Sequence, residues 1–284
     1  MTLTQDISLP ESWHGFENFV PVESTQGWVW RGGNEAGKVA YLKQHREFGS
    51  FEREWRALTL IKDLDVGPRI LAVDPSHRSI LMACAGTAYD ERRVSLAVAR
   101  QCVDTLNILH RCPVPGDEMP IEHALLMRWR RLQRRLGDHC SRELSAWIES
   151  RLASLPKVPR SLVHRDVRPS HWFFDGGKAR LIDFGQARVD AVLFDAIPFY
   201  TQQYPQVISA AVQDYFEVEY GQTVAESVDV FVAIYLCGTI ERLIYHQDQC
   251  ELGRASQLCA SLKQWSSAPI DFDEVMAKKE GNRE

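Results

Sequence analysis

Along the first 85 residues, apolar positions come in short alternating runs broken by turn residues. GWVWRG (27–32), KVAYLKQ (38–44), RILAVD (69–74) and SILMACA (79–85) read as strands, with NEAG and DPSHR as turns between them. One stretch breaks the alternation. SFEREWRALTLIKDL, residues 50–64, places Phe51, Trp55, Leu58 and Lys62 near one face at helical spacing, and Ser50 stands where it can cap the first turn. At 100° per residue Glu54 falls in the sector of Phe51, Trp55, Leu58 and Ile61, whereas Glu52 points away from it. A carboxylate on an apolar face is costly without a partner. Lys43, at the end of VAYLK just before this helix, is the cation expected to supply one.

From about residue 92 the period changes from two to 3.6. SLAVARQCVDTLNILH is followed by the turn-rich CPVPGDEMP and by two amphipathic stretches ending near Leu155. Strand character returns at 161–183, and helices dominate again from about 205 to 265. The pattern predicts an α+β fold: a sheet-rich lobe over 1–85 with one helix, then a larger, mainly helical lobe over 86–284 with one inserted hairpin. The polar tail AKKEGNRE reads as frayed.

Composition adds exclusions rather than a class. A chain of 284 residues, 45% hydrophobic and 25% charged, has room for two lobes and an ordinary core. A formal net charge of -5 argues against broad nucleic-acid binding, which needs excess Lys and Arg. Seven cysteines without a CxxC pair predict reduced thiols in a cytoplasmic protein rather than a zinc or redox centre. The start MTLTQDISLPESW is unlike a signal peptide, and VFVAIYLCGTI (230–240) reads as a buried core helix too short to cross a bilayer.

The stretch LLMRWRRLQRRLG carries an apolar stripe of Leu125, Trp129, Leu132 and Leu136 and a basic row of Arg128, Arg131 and Arg135. That row is either a solvated face or a patch for an anionic acceptor or a peripheral membrane contact. Asp214, Glu217, Glu219 and Glu226 would instead attract a cationic acceptor.

The candidate chemistry lies in HRDVRPSHW (164–172) and the segment after it. HWFFDGGKARLI (171–182) is a hairpin signal, because two glycines supply the positive φ that tight turns require. A turn of Asp175, Gly176 and Gly177 would pair Phe174 with Lys178 and set His171 opposite Leu181. Asp183 then emerges about two positions from His171, a diagonal of roughly 7 Å between backbones. Asp166 lies a short loop upstream. Two carboxylates and an imidazole in such an arrangement suit phosphoryl transfer, which is catalysed by positioning and by neutralising phosphate charge.

LVHRDVRPSHWFF followed by LIDFGQAR, with YLK (41–43) and REWRAL (53–58) upstream, resembles the motif set of the protein-kinase-like superfamily. LNILHRCP (106–113) and LFDAIPFY (193–200) are similar to the aminoglycoside phosphotransferase and choline kinase branch, and no activation segment ending in APE is visible, which disfavours a protein kinase. The resemblance implies ATP-dependent phosphorylation of a hydroxyl on a small molecule. It implies Asp166 as catalytic base, Asp183 as Mg²⁺ ligand, and Lys43, held by Glu54, as the contact to the α and β phosphates. Arg168 matches a position that touches the transferred phosphate, and Gly27 in the glycine-poor ESTQGWVW is the candidate for the loop over the nucleotide. His171 departs from the pattern, standing where Asn is usual, and in this it resembles the lipopolysaccharide core sugar kinases. Imidazole suits Mn²⁺ better than Mg²⁺, so His171 is open to three roles: metal ligand, bridge through water, or brace for the loop. A sugar kinase of that type and a pseudokinase-like nucleotide-binding module are the alternatives.

Overall fold

A computed structural model describes residues 12–22, 27–114, 120–137, 140–246 and 252–265, so ESTQ (23–26), Cys250 and the polar tail lie outside the described residues. The chain forms two compact units, Met1–Tyr89 with Ser170–Arg188, and Asp90–Pro169 with Val189–Glu284.

The first unit is built on a six-stranded sheet of β1 (Ser12–Trp13), β2 (Phe16–Val22), β3 (Gly27–Gly33), β4 (Val39–His45), β5 (Ile70–Asp74) and β6 (Ser79–Ala83). Its order is β1-β2-β3-β4-β6-β5, with antiparallel neighbours. Alternation along β4 sends Ala40 and Leu42 into a core with Phe16, Trp30 and Leu81. Lys43 and His45 point to the other side, where helix α1 (Phe48–Leu60) lies.

The N-cap of helix α1 is Glu47, three residues before the expected Ser50, and it makes no side-chain cap. Ser50 is therefore inside the first turn, and its hydroxyl sits where a Cβ on Gly185 would approach to 2.6 Å. The buried face holds Phe51, Glu54, Ala57 and Leu58, while Trp55 and Lys62 are exposed. Burying an apolar side chain such as Phe51 or Leu58 contributes about 1.5–3 kcal/mol.

After β7 (Thr87–Ala88) the chain enters the second unit, which contains β8 (Arg160–Val163), and it returns at Ser170 for β9 (Trp172–Asp175) and β10 (Lys178–Leu181). The three strands pair in the order β10-β9-β7. Gly176 and Gly177, at φ 57° and 84°, make a two-residue turn that pairs Asp175 with Lys178. The expected three-residue turn is thus replaced by the tighter one that two positive-φ residues specify. Leu181 now opposes Trp172, and His171 lies opposite Ile182, whose N–H it accepts at 2.9 Å.

The hairpin and the segment after it, expected with the helical lobe, group with the sheet. The reason is backbone pairing: β9 joins β7, and the Leu181 N–H donates to the Val66 carbonyl at 2.9 Å.

The second unit holds α2 (Leu96–His110), α3 (Ile121–Leu136), α4 (Arg142–Ala153), α5 (Leu193–Tyr200), α6 (Gln206–Tyr220), α7 (Gln222–Ala225), α8 (Val228–His246) and α9 (Leu252–Trp265), with β8 paired to β11 (Arg188–Ala191). Ser95 caps α2 by accepting the Val98 N–H. The run Gln222–Ile244 is long and apolar enough to cross a membrane, longer than the segment that stands out in the sequence, yet 78% of its apolar window is buried inside the protein. The apolar stripe of α3 is buried as expected. Its basic row is divided, with Arg128 Nη1 3.9 Å from Asp190 and Arg135 Nη1 2.5 Å from Glu241.

Candidate active site

In the first unit, Lys43 is the hub. Its Nζ lies 2.7 Å from Glu54 Oε2 and 2.7 Å from Asp183 Oδ1. Glu54 is wholly buried and Lys43 nearly so. Removing one member of such a buried pair strands the other, at about 3–5 kcal/mol. Burial alone would depress the Lys43 pKa, but the neighbouring Glu54 and Asp183 charges outweigh it, and the value is raised above the ordinary lysine range. The same cation, with His45, overcomes the burial of Glu54 and keeps its pKa below the ordinary carboxylate value. His45 Nε2 lies 3.0 Å from Glu54 Oε2. The other oxygen of Glu54 accepts the Phe184 N–H at 3.3 Å.

Asp183 stands at φ 65°, ψ 61°, a left-handed conformation that a short polar side chain tolerates better than a bulky one. The turn after it is tied to α1 by Arg53 Nε, which donates to the Gly185 carbonyl at 2.7 Å. His171 Nε2 lies 3.8 Å from Asp183 Oδ2, beyond hydrogen-bond distance. Among the described residues no three His, Cys, Asp or Glu side chains form a metal cage. The single Asp183 carboxylate fits a divalent ion carried in on phosphate oxygens, such as Mg²⁺, whereas the His171 imidazole beside it fits Mn²⁺ better.

In the second unit, the loop after β8 carries His164, Arg165 and Asp166, all buried. Asp195 of α5, also fully buried, holds this loop by its backbone. It accepts the His164 N–H at 2.8 Å and the Arg165 N–H at 2.6 Å, with His110 Nε2 at 3.2 Å. On the far side of the His110 ring, the Tyr215 and Tyr220 hydroxyls lie 3.3 Å from Nδ1. Arg168 Nε donates to Asp166 Oδ1 at 2.6 Å, and the Asp166 N–H to His164 Nδ1 at 3.3 Å.

Lys43, Glu54, Asp183 and His171 are therefore assembled in the first unit, and Asp166 with Arg168 in the second. Gly27, expected in a loop, is the first residue of β3 and pairs with His45. A Cβ there would meet the Gln44 carbonyl oxygen at 2.7 Å, so the glycine answers a close approach of two strands. Residues that sequence reasoning left out of the site are His45, His110, Arg165 and Asp195. Asp195 had a signal of its own, a lone acid within the apolar LFDAIPF, which must be buried with donors around it.

The model of the Phosphotransferase enzyme family matches residues 28–231. The chain belongs to this family. The match agrees with the branch that the LH and LFDAIPFY motifs resemble. No curated protein matches the sequence.

Similar solved structures show the fold that this phosphotransferase shares, the protein-kinase-like one. A choline/ethanolamine kinase family protein from Mesorhizobium loti has 14% identity and a TM-score of 0.68, covering 96% of this chain and 95% of that one. A macrolide 2'-phosphotransferase from Brachybacterium faecium has 18% identity and a TM-score of 0.65, covering 86% and 94%. A thermostable mutant of aminoglycoside phosphotransferase APH(4)-Ia, in complex with AMP-PNP and hygromycin B, has 13% identity and a TM-score of 0.68, covering 91% and 97%.

Proposed function

We propose that this phosphotransferase moves the γ-phosphate of ATP to a hydroxyl of a small molecule in the cytoplasm, with the nucleotide held by the first unit and Asp166 supplied by the second. The observation that carries the reading is Lys43 held at 2.7 Å between two carboxylates on different elements. A lone strand lysine would reach into solvent; this one is buried, charged and fixed, as a contact to phosphate oxygens must be. The APH(4)-Ia complex with AMP-PNP and hygromycin B supports the same pairing of nucleotide and small acceptor.

In this reading Lys43 meets the α and β phosphates, and Glu54 keeps its ammonium in place. Asp183, with His171 beside it, would hold the divalent ion, Mg²⁺ or Mn²⁺, whose charge offsets that of the triphosphate. Asp166 orients the acceptor hydroxyl and takes its proton as the oxygen attacks the γ-phosphorus. The bond from phosphorus to the bridging oxygen breaks, and ADP leaves with that electron pair. Arg168 sits on Asp166 at 2.6 Å, where it can steer the carboxylate and face the transferred phosphate.

The test is incubation with ATP, Mg²⁺ or Mn²⁺ and a panel of amino alcohols, sugars, nucleosides and aminoglycosides, followed by mass spectrometry. One acceptor should gain one phosphate. Asp166→Asn should abolish the gain with ATP still bound, and Asp183→Asn should weaken metal-nucleotide binding as well. Undiminished turnover by either variant would refute the assignment.

A further inference from the structure

Arg165 is an unlikely residue for its backbone. At φ 65° glycine is free of strain and a long side chain is not, yet Arg165 is kept there and is almost fully buried. What the side chain does in return is visible in the second unit. Arg165 Nη1 donates to Asp190 Oδ2, and the guanidinium lies over the Phe194 ring, with its central carbon 4.1 Å from the ring centroid. Arg128, reaching from α3, lies over the same ring at 5.1 Å and approaches the same Asp190 oxygen at 3.9 Å. The second oxygen of Asp190 accepts the Ala191 N–H at 2.9 Å, which fixes the carboxylate's direction. Phe194 is itself set edge-on against Phe231 of α8, at 5.1 Å. Arg165 is thus gripped at its side chain by Asp190 and at its backbone N–H by Asp195.

We propose that Asp190 and Arg128 form a positioning clamp that acts through Arg165 to fix the backbone carrying the next residue, Asp166. The proposal rests on the reading of Asp166 as the catalytic base. Neither Asp190 nor Arg128 is assigned contact with substrate. Their effect belongs to the aim of the Asp166 carboxylate, for which a displacement of about 1 Å lowers turnover by up to roughly 100-fold.

The experiment compares Asp190→Ala, Asp190→Glu, Arg165→Gly and the double variant Arg165→Gly/Asp190→Ala with Arg135→Gln. The last breaks the Arg135–Glu241 pair of the same unit and serves as control. Two readouts are taken: steady-state kinetics on the acceptor identified above, and hydrogen exchange over the His164–Val167 segment. Asp190→Ala should lower kcat about 10- to 100-fold, leave the KM for ATP within about twofold because the proposed nucleotide contacts lie in the first unit, and speed exchange in that segment. Glu at position 190 should restore much of the loss. Arg165→Gly and the double variant should each lose kcat to about the same extent as Asp190→Ala, because glycine leaves the clamp no side chain to hold and the two losses then do not add. A kcat for Asp190→Ala no lower than that of Arg135→Gln, or unchanged exchange, overturns the clamp. Full turnover by Asp166→Asn would instead sink the catalytic reading, and with it the claim that the clamp aims a base, whatever the exchange data show.

Discussion

Among the described residues two carboxylates are completely buried, and they are neutralised in opposite ways. Glu54 is met by a charged side chain, Lys43, with His45 close by. Asp195 is met mainly by backbone, the N–H groups of His164 and Arg165, with the His110 ring as third neighbour. Both arrangements offset a desolvation cost of several kcal/mol. What differs is what the partner is free to do afterwards. A lysine on a flexible stem can give up part of its contact with Glu54 and Asp183 to a phosphate. Backbone N–H groups bound to Asp195 cannot move without moving the loop. The first acid holds a functional group, and the second holds a shape.

The largest effect should come from removing the side-chain partner, Lys43. Lys43→Ala leaves Glu54 buried without its lysine and should lower stability by about 3–5 kcal/mol in urea titrations; Lys43→Ala/Glu54→Leu should recover most of it. A loss under about 1 kcal/mol would mean that water reaches Glu54 and that the contrast is false. Asp195→Asn should cost less, about 2 kcal/mol, since shape and some hydrogen bonding survive. Its distinguishing mark is faster amide exchange at His164 and Arg165, which Lys43→Ala should leave alone.

The smallest effect is in pH dependence, and its sign follows from the shifts. Glu54 has a lowered pKa in the fold, so its contribution is present above the unfolded value of about 4.3 and is lost as pH falls through the lower folded value. Lys43 has a raised pKa, so its contribution is present below about 10.4 and is lost as pH rises through the higher folded value. Stability due to this pair should therefore be flat between about pH 5 and 10. Glu54→Gln should remove most of the acid-side loss, and a mid-range slope that disappears in that variant would contradict the pairing.

Much of the first unit was legible because its signals are local. Alternation located β3, β4, β5 and β6, and the angle of Glu54 on its helix was enough to demand Lys43. The register of the hairpin was off by one because both glycines, rather than three residues, make the turn, and a single-residue error in a strand changes every facing pair. The two-residue strands β1 and β7 carry too few alternating positions to be read, and β2, seven residues long but mostly exposed, shows no clear alternation. In the second unit, the Asp166 loop was found by motif, but its support was not. Asp195 and His110 were noted only as family letters, and Arg165 as the middle of a triplet. Their work depends on contacts across long sequence separations and on one residue's φ, neither of which a linear pattern records.

The first unit is not contiguous in sequence: it closes only when Ser170–Arg188 arrives. Lys43 and its partner Asp183 are separated by 140 positions. At about 5–20 residues per second of synthesis, the lysine and its helix wait roughly 7–28 seconds for the acid that completes their cluster. During that interval the nascent sheet carries an unfinished charge site, and the helices of Asp90–Pro169 are made before the first lobe is whole. Truncation after residue 89 should consequently yield the six-stranded sheet without the β9–β10 hairpin that pairs with β7 and without one of the two anions around Lys43, a fragment that birth order alone makes incomplete.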